Sequence, residues 1–388
     1  LKKMRVLHII PSIGPQRGGM SRAALDMCQL LAAAGIDVTL VTTDDDGPNG
    51  RLNVPLNQLK NEEYRTIYFS RQTRVYSISM PLLGWVNAHV HEFDVCHLHG
   101  VFSFASDLPA LAARRANVPY VITPHGILCN YGMMQRRSFL KRLFVKTLVG
   151  PNLQQALLVH FTTEMERRES SGWADIRRSE IVPYCLDLQM ALPRTTSYRH
   201  RVDQVFKLLF LSRIDPKKGL DLLFRALAQL HRDDVAVTLT IAGSGEASYI
   251  ATLKTLAAEL GIANQIHWAG FADEIRKQQL FGEADAFVLS SYSENFGIAP
   301  VEAMTAGLPV IITDQTAVSE AMAATDAAIV IPCDVDALAT AIRQLRASPA
   351  MQARLSHVGL QLARNYFSSS ATIAKWVKIY SQWSMVNA

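Results

Sequence analysis

Cysteine is scarce in this chain, and its few copies lie far apart. The five cysteines are Cys28, Cys96, Cys129, Cys185 and Cys333, and no two of them form a C-x-x-C pair. An odd number at such wide spacing is typical of neither a disulfide framework nor a zinc knuckle. We therefore expect free thiols and a reducing, cytoplasmic location.

Long hydrophobic runs are also missing. No stretch of about 18 consecutive apolar residues occurs, so the sequence predicts no membrane-spanning segment. The apolar run within residues 1–11 is short and lacks a cleavage site, which is typical of a buried strand and not of a signal peptide. The excess of one charge is small as well: 39 Lys and Arg against 34 Asp and Glu give a net charge of +5. Such a charge mildly favours phosphate-bearing or anionic partners.

The chain is long and apolar enough for two packed domains. It has 388 residues, of which 49% are hydrophobic and 19% charged, and single cores rarely grow beyond about 250 to 300 residues. Short apolar strands alternate with helical periodicity, beginning with a strand at 5–10, a helix over 21–34 and a strand at 38–42. This alternation predicts an α/β fold with two doubly wound parallel sheets.

A polar, proline-bearing stretch at 187–204 interrupts the alternation and is typical of an interdomain linker. The predicted division is a Rossmann-like domain over 1–190, a linker over 191–206 and a second Rossmann-like domain over 207–366. The last helix, 367–388, is expected to pack back on the first domain. Open α/β sheets bind ligands beyond the carboxyl ends of their strands, so we expect the site in such loops, in a cleft between the domains.

The most informative run follows a predicted strand and enters a helix. It reads SSYSENFGIAPVEAM from position 290 and carries two carboxylates, Glu294 and Glu302. If the helix begins near Ile298, the free amides around its start form an anion site suited to a diphosphate. Glu302 is then placed to accept hydrogen bonds from ribose hydroxyls, and Glu294 to reach the hydroxyls of a sugar. The amides concerned belong to Asn295, Phe296, Gly297 and Ile298.

Both carboxylates also have a plainer interpretation. Glu294 is then a solvated loop residue, and Glu302 only favours the positive end of its helix. A second charged motif bears on the choice: the segment LSRIDPKKG, after the predicted strand 207–211, contains Arg213 and Lys218. A guanidinium beside an ammonium at a strand end stabilises the charge of a departing diphosphate. The plainer interpretation of this second motif is a solvated basic loop before a helix.

Together these motifs resemble the retaining glycosyltransferases of family 4, or glycosyl transferases group 1, of the kind found in bacterial exopolysaccharide assembly. Glu294 and Glu302 with Phe296, followed by AGLPV from position 306, resemble the E-x7-E signature of that family. Arg213 and Lys218 stand where the family carries the arginine and lysine that grip the donor diphosphate. The resemblance covers nearly the whole chain and implies the GT-B fold, two Rossmann-like domains facing across a cleft.

The resemblance implies further site residues. Gly18 and Gly19 resemble the glycine-rich loop beside the donor phosphates, Gly243 the G-x-G turn that admits the nucleotide, and Phe271 the residue that lies against the base. His125 matches the histidine at the cleft, which is expected to touch the donor sugar or the acceptor. Each of these residues is unremarkable by itself, as a turn, a core position or a packed histidine. The catalytic set that the resemblance implies is His125, Glu294, Arg213 and Lys218.

One segment departs from the family pattern. The run VPYCLD over 182–187 stands where relatives more often have a small Asn-Gly turn before the aspartate. His97 and His99 share one face of a predicted strand, so a metal site is conceivable. No nearby cysteine or acidic cluster completes it, and we predict neither a metal nor a cofactor.

The implied activity is transfer of a hexose, from UDP-glucose or a similar UDP-sugar, to a saccharide or a lipid-linked saccharide. The implied mechanism retains the anomeric configuration, with the leaving diphosphate stabilised by Arg213, Lys218 and the amides near Phe296 and not by a metal. A basic amphipathic stretch over 131–153 is suited to peripheral contact with the inner membrane surface. Its alternative is an ordinary helix with a core face and a solvated basic face.

Four rival functions stay open. A GT-B glycosyl phosphorylase or a nucleotide-sugar epimerase would handle phosphate in a similar way. An NAD-dependent dehydrogenase predicts a G-x-G-x-x-G motif after the first strand, which residues 11–20 do not supply. A non-catalytic module that binds sugar or nucleic acid is the last rival. Interleaved basic and aromatic residues suited to nucleic acid are not evident, so no nucleic-acid partner is expected.

Overall fold

The computed structural model describes residues 3–14, 18–47, 50–56, 59–60, 63–73, 76–134, 138–186 and 205–384. The chain divides into two compact units, the first formed by Leu1–Asp187 with Ser368–Ala388 and the second by Leu188–Phe367. Almost all of the predicted linker lies outside the described residues. Each unit contains a largely parallel sheet with helices, so the prediction of two α/β sheets is confirmed.

The first unit is built on an eight-stranded sheet. Its strands are β1 (Arg5–Ser12), β2 (Asp37–Thr43), β3 (Leu59–Lys60), β4 (Arg65–Phe69), β5 (Val95–His99), β6 (Tyr120–Thr123), β7 (Leu158–Phe161) and β8 (Ser179–Ile181). They pair in the order β3-β4-β2-β1-β5-β6-β7-β8, all parallel except β3 with β4. The central strands are buried along nearly their whole length, which explains their continuous apolar runs.

Among the described residues, several α-helices accompany these strands before the chain leaves the first unit. They are α1 (Gly19–Ala33), α2 (Met80–His89), α3 (Phe104–Arg115), α4 (Asn130–Met134), α5 (Ser138–Phe144), α6 (Gly150–Gln155) and α7 (Glu164–Ser171), with a short π-helical turn at Val145–Val149. The structure starts α1 two residues before the predicted position, because Gly18 takes a φ of 79° and serves as its N-cap.

The second unit has a six-stranded parallel sheet. Its strands are β9 (Phe206–Leu211), β10 (Val237–Ala242), β11 (Ile266–Gly270), β12 (Ala286–Leu289), β13 (Val310–Thr313) and β14 (Ile329–Ile331). They pair in the order β11-β10-β9-β12-β13-β14. The chain therefore moves outward in one direction from β9 and then in the other from β12. A crevice forms beyond the carboxyl ends of strands at such a reversal.

The helices of the second unit are α8 (Leu220–Arg232), α9 (Ala247–Glu259), α10 (Glu274–Glu283), α11 (Ile298–Thr305), α12 (Ser319–Ala324), α13 (Val335–Ala347) and α14 (Pro349–Tyr366). The last helix, α15 (Ser369–Ser384), returns to the first unit and packs against α1. Trp376 and Tyr380 of α15 are fully buried there in an apolar cluster. None of the described helices combines the length and the hydropathy needed to cross a bilayer.

Candidate active site

The loops that leave β9 and β12 touch where the strand order of the second unit reverses. Gly219, just before α8, has a φ of 64°, and a Cβ at this position would overlap the backbone oxygen of Ser290. Only glycine allows so close an approach in this conformation. The Ser290 hydroxyl donates to the carbonyl oxygen of Gly219 at 2.7 Å. The two loops are thus fixed against each other, with Lys218 at their junction.

Lys218 and Glu294 form an ion pair, in which Lys218 Nζ donates to Glu294 Oε2. Both side chains are largely buried. Burial, together with the positive charges of Lys217 and Arg213, lowers the pKa of Lys218 to about 7. Contact with the Glu294 carboxylate acts in the other direction, because a neighbouring anion favours the ammonium form. Lys218 therefore depends on an adjacent anion to stay charged.

Arg213 brings a second cation to the same place. Its charge contributes to lowering the pKa of both Lys217 and Lys218, so it lies close to them. Its side chain is exposed and has no carboxylate partner within the part of the chain that the structure describes. An exposed guanidinium beside a buried ammonium is suited to bind the oxygens of a phosphate group.

The start of α11 lies next to Glu294 in the chain and supplies backbone donors. Gly297, with a φ of 97°, caps the helix, which begins at Ile298 as the sequence predicts. No side chain caps this end of α11, and the amides of Ile298 and Ala299 have no partner among the described residues. Phe296 is buried and packs edge-on against Phe367, so it anchors the turn while the amides remain available.

Glu302, on α11, has a partner that the sequence does not reveal. Lys277 of α10 donates from Nζ to Glu302 Oε1 at 2.6 Å and to Glu274 at 3.0 Å. Burial alone would lower the pKa of Lys277, but the two carboxylates outweigh it and raise this pKa. Glu302 Oε2 accepts no hydrogen bond within the described residues. Glu302 is thus an oriented carboxylate with one oxygen left as an acceptor.

Two more predicted residues lie at the same edge of the sheet. Gly243 follows β10 directly, with a φ of 144°, and a Cβ there would overlap the backbone oxygen of Ser212 in the loop after β9. Its amide donates to the oxygen of Gly270 at 2.7 Å. Phe271 follows β11 directly and is 74% exposed. An uncovered aromatic ring at a strand end can stack on a nucleobase.

In the first unit, Gly18 and Gly19 are exposed at the start of α1, which has no side-chain cap within the described part of the chain. His125 lies after β6 with a φ of 55°, a strained conformation for a residue other than glycine. It is 5% exposed, and burial lowers its pKa to about 3. Its Nδ1 lies 2.8 Å from the Tyr184 hydroxyl and its Nε2 3.0 Å from His99 Nδ1. His125 is therefore a neutral ring whose two nitrogens both bond to protein groups.

His125 belongs to a buried network of five histidines, of which sequence reasoning missed two, His8 and His160. His8 Nδ1 lies 3.0 Å from His99 Nε2, and Thr123 joins His97 to His160 through contacts of 2.7 and 2.8 Å. The side-chain nitrogens of His8, His97 and His99 lie within 4.8 Å of one another, a spacing that would suit a metal ion. Both ring nitrogens of His97 and of His99 have hydrogen-bond partners, whereas His8 Nε2 is buried without one among the described residues. These hydrogen bonds hold His97 and His99 in place.

A buried carboxylate holds the His125 loop, and sequence reasoning missed it too. Glu166 of α7 is fully buried and accepts the amide of Gly126 at 2.6 Å. It also accepts the amide and the hydroxyl of Thr162 at 2.8 and 2.7 Å. Burial raises the pKa of Glu166. Neither Glu166 nor Tyr184 stands in a motif. The sequence signal in this region was the departure from the family pattern at 182–187, which includes Tyr184.

Comparisons with known proteins give a consistent result. The family model "Glycosyl transferase 4-like domain" matches residues 18–185, and "Glycosyl transferases group 1" matches residues 199–360. A GDP-mannose:cellobiosyl-diphosphopolyprenol alpha-mannosyltransferase of Xanthomonas oryzae is 26% identical over 314 residues, which cover 80% of this chain and 79% of that protein.

Solved structures resemble this chain along almost its full length. Sucrose-phosphate synthase from Thermosynechococcus elongatus matches with a TM-score of 0.78 at 21% identity, covering 98% of this chain and 99% of that one. HepE of Anabaena, in complex with UDP and glucose, matches with a TM-score of 0.76 at 20% identity, covering 97% and 99%. At identities this low, the similarity shows a shared fold and nothing more.

Proposed function

Because the chain is a glycosyltransferase of family 4 with the GT-B fold, we propose that it moves a hexose from a nucleoside-diphosphate sugar to a saccharide acceptor with retention of configuration. The observation that carries this proposal is the group of cationic and amide donors at one sheet edge. Arg213, Lys218 and the uncapped start of α11 flank the strand reversal of the second unit. This arrangement is complementary to a diphosphate.

The chemical step follows from these donors. The bond between the anomeric carbon and the diphosphate oxygen breaks, and negative charge develops on that oxygen beside Arg213 and Lys218. The acceptor hydroxyl forms its new bond to the anomeric carbon on the face that the diphosphate leaves. Its proton passes to a diphosphate oxygen, so neither Glu294 nor Glu302 acts as a nucleophile. No charge balance in this step requires a metal.

The remaining residues bind and orient the donor. Glu302 Oε2 accepts from the ribose hydroxyls, with Lys277 holding the carboxylate in place. Phe271 stacks on the base, and Gly243 lets the nucleotide approach the backbone. Glu294 reaches the sugar hydroxyls once the diphosphate takes its place on Lys218. Gly18, Gly19 and His125 remain proposals for the first unit, where the His125 ring shapes the site without donating a proton.

Two donors stand out for testing. UDP-glucose is the donor that the sequence resemblance favours. GDP-mannose is the donor in the name of the Xanthomonas oryzae relative. An exposed Phe271 ring stacks on either base, so this contact does not choose between them.

We also propose that the acceptor is lipid-linked and that the enzyme works at the cytoplasmic face of the membrane. The name of the same relative includes a diphosphopolyprenol acceptor. In this chain, five apolar side chains between 131 and 143 are 39% to 77% exposed. They are Tyr131, Met134, Phe139, Leu140 and Leu143. The segment 130–155 contains no acidic residue.

This exposed face is suited to an anionic bilayer, since apolar side chains stand beside Lys141, Arg142 and Lys146. The other two basic residues of the stretch, Arg136 and Arg137, lie outside the described residues. We expect the protein to sediment with anionic vesicles and Phe139→Ser to weaken this binding several-fold. The matched control is Ile275→Ser, an equally exposed apolar residue of the second unit. Equal loss in both variants would contradict the assignment.

The activity itself is tested by incubating the protein with UDP-glucose, GDP-mannose or ADP-glucose and a lipid-linked disaccharide. Product anomers are assigned by NMR. We expect one donor to give a product with the donor's own anomeric configuration. An inverted product would contradict the mechanism. Conversion of the donor without any acceptor would indicate an epimerase, and a sugar phosphate formed only with added phosphate would indicate a phosphorylase.

A further inference from the structure

A cavity of about 870 Å³ lies in the first unit, at the sheet edge opposite His125. Its walls come from the segments that lead into β6, β7 and β8, together with the last turn of α3. His125 follows the carboxyl end of β6, whereas the cavity lies at the amino end of the same strand. The volume is within the range of small-molecule sites. We call it the arginine cavity.

Four arginines line the arginine cavity, and none of its lining residues is acidic. Arg114 and Arg115 end α3, where the helix dipole favours cations. Arg177 and Arg178 lie in the loop before β8, where no helix end accounts for them. Arg114, Arg115 and Arg177 have no ion-pair partner within the described ranges. Three guanidiniums without a counter-charge therefore face one cavity.

The backbone of the cavity floor is fixed. Leu157 donates its amide to the oxygen of Tyr120 at 2.9 Å, and Val159 donates to the oxygen of Arg178 at 3.0 Å. These bonds continue the parallel register of β6, β7 and β8 to the sheet edge. Tyr120 is buried, and the charge of Arg114 acts on its hydroxyl, so this guanidinium lies close to the floor. The arginines thus project from a rigid support.

We propose that the arginine cavity binds a small ligand that carries two linked phosphate groups, separately from the donor site. Guanidinium groups bind phosphate oxygens in a bidentate manner. The arginines come as two adjacent pairs from two different segments, so one phosphate meets the end of α3 and the other meets the loop before β8. Leu111, Val118 and Pro119 give the cavity an apolar side for the rest of the ligand.

The probe is inorganic pyrophosphate, titrated into the full chain by calorimetry at low salt. The donor site also binds diphosphate, so the test uses an Arg213→Ala/Lys218→Met background in which that site is disabled. We expect pyrophosphate still to bind, and to bind at least about 10-fold more tightly than inorganic phosphate, because linked groups engage both arginine pairs. Equal affinity for phosphate, pyrophosphate and sulfate would overturn the proposal.

Adding Arg114→Gln and Arg177→Gln is expected to weaken pyrophosphate binding by about 10- to 100-fold, since charge-assisted hydrogen bonds to two phosphates are lost. Neither arginine has an ion pair to lose among the described residues, so folding should be preserved, as checked by circular dichroism. The control, Arg65→Gln with Lys375→Gln, removes two exposed positive charges elsewhere in the same unit. If the control weakened pyrophosphate binding equally, the effect would come from net charge and not from a specific site, which would refute the proposal.

Discussion

Lys218 is the central residue of the proposed donor site, because it is buried and forms an ion pair with Glu294. Removing a charged group from water is costly unless an opposite charge compensates it. In the proposed arrangement, a bound diphosphate carries more negative charge than Glu294 and lies beside Arg213. We therefore expect the diphosphate to take over Lys218 and to free Glu294 for the sugar.

The first prediction concerns the Lys218 ammonium. Lys218→Met should lower kcat by about 10²- to 10³-fold, because one donor to the developing charge is lost. Transfer is measured by steady-state kinetics with the donor that the screen identifies. Lys207→Met, at an exposed lysine of β9, is the control and should leave kcat unchanged. A similar kcat for both variants would remove Lys218 from the mechanism.

The second prediction concerns the lysine that orients Glu302. Lys277→Met should raise the donor KM by roughly 10-fold with little change in kcat, since it weakens donor binding before and during the reaction alike. Lys277→Arg should restore most of the affinity, because it keeps a cation beside Glu302. Exposed Lys254 provides the control, Lys254→Met. A fall in kcat with unchanged KM would contradict a binding role.

Among single residues, those of the candidate site that stand in local motifs could be predicted from the sequence. Arg213, Lys218 and Glu294 are such residues, and their placement at one sheet edge follows from strand ends. Lys277 and Glu166 stand in no motif. Their roles arise from side-chain contacts across 25 and 40 positions of sequence, which depend on packing that no local pattern encodes.

Helix α15 places large buried side chains in the core of the first unit. Trp376 is fully buried, with its ring centroid 5.0 Å from that of His97 and 4.6 Å from that of His160. Tyr380 OH lies 2.6 Å from His97 Nδ1. The helix thus packs against His97 and His160 and supplies a hydrogen-bond partner to His97.

The third prediction tests this packing. Trp376→Ala should lower the free energy of unfolding by about 3 to 5 kcal/mol, because it leaves a large cavity in the core. Lys375→Ala, at the exposed neighbouring position, should change it by less than about 0.5 kcal/mol. Urea unfolding followed by circular dichroism measures both. Equal unfolding midpoints would show that α15 does not stabilise the unit.

Strands and helices with a strong local sequence pattern were predictable, and those with a weak pattern were not. The buried runs of β1, β9 and β12 are apolar enough to be recognised alone. Strand β8, with the residues Ser-Glu-Ile, lies at a sheet edge, has only partial burial and carries no such signal. The basic stretch at 131–153 is divided among several short helices.

At the scale of the whole molecule, the buried histidines predict sensitivity to acid. Burial lowers the pKa of His8 and His125 to about 3 and that of His160 to about 4, and it lowers the pKa of His97 and His99 as well. In the unfolded chain each imidazole titrates near 6.5. The unfolded state therefore binds more protons between these values, and stability falls as the pH falls below 6.5.

The fourth prediction puts a magnitude on this effect. His8, His125 and His160 should each contribute a loss of about 2 kcal/mol of unfolding free energy between pH 8 and pH 5. Melting temperatures at pH 8, 6 and 5 measure the sum. His160→Asn should flatten this dependence, whereas His267→Asn, at an exposed position of β11, should not. A melting temperature that stays constant down to pH 5 would contradict the account.

The α/β class and the presence of two sheets were predictable because alternation of strand and helix runs through the whole chain. Base and sugar specificity were not, because they depend on a few side-chain contacts, and the proposed one, the exposed ring of Phe271, would stack on any base. The hydrogen bonds of the histidine network were equally invisible. They join β1, β5, β6 and β7, and only the folded register brings these strands side by side.

The central claim is that Arg213, Lys218 and the start of α11 bind a diphosphate. Calorimetric titration with UDP, GDP, uridine and guanosine tests it most directly. We predict that at least one nucleoside diphosphate binds about 100-fold or more tightly than its nucleoside, and that Lys218→Met abolishes most of this difference. Equal binding of nucleoside and diphosphate, or an unchanged difference in Lys218→Met, would contradict the claim.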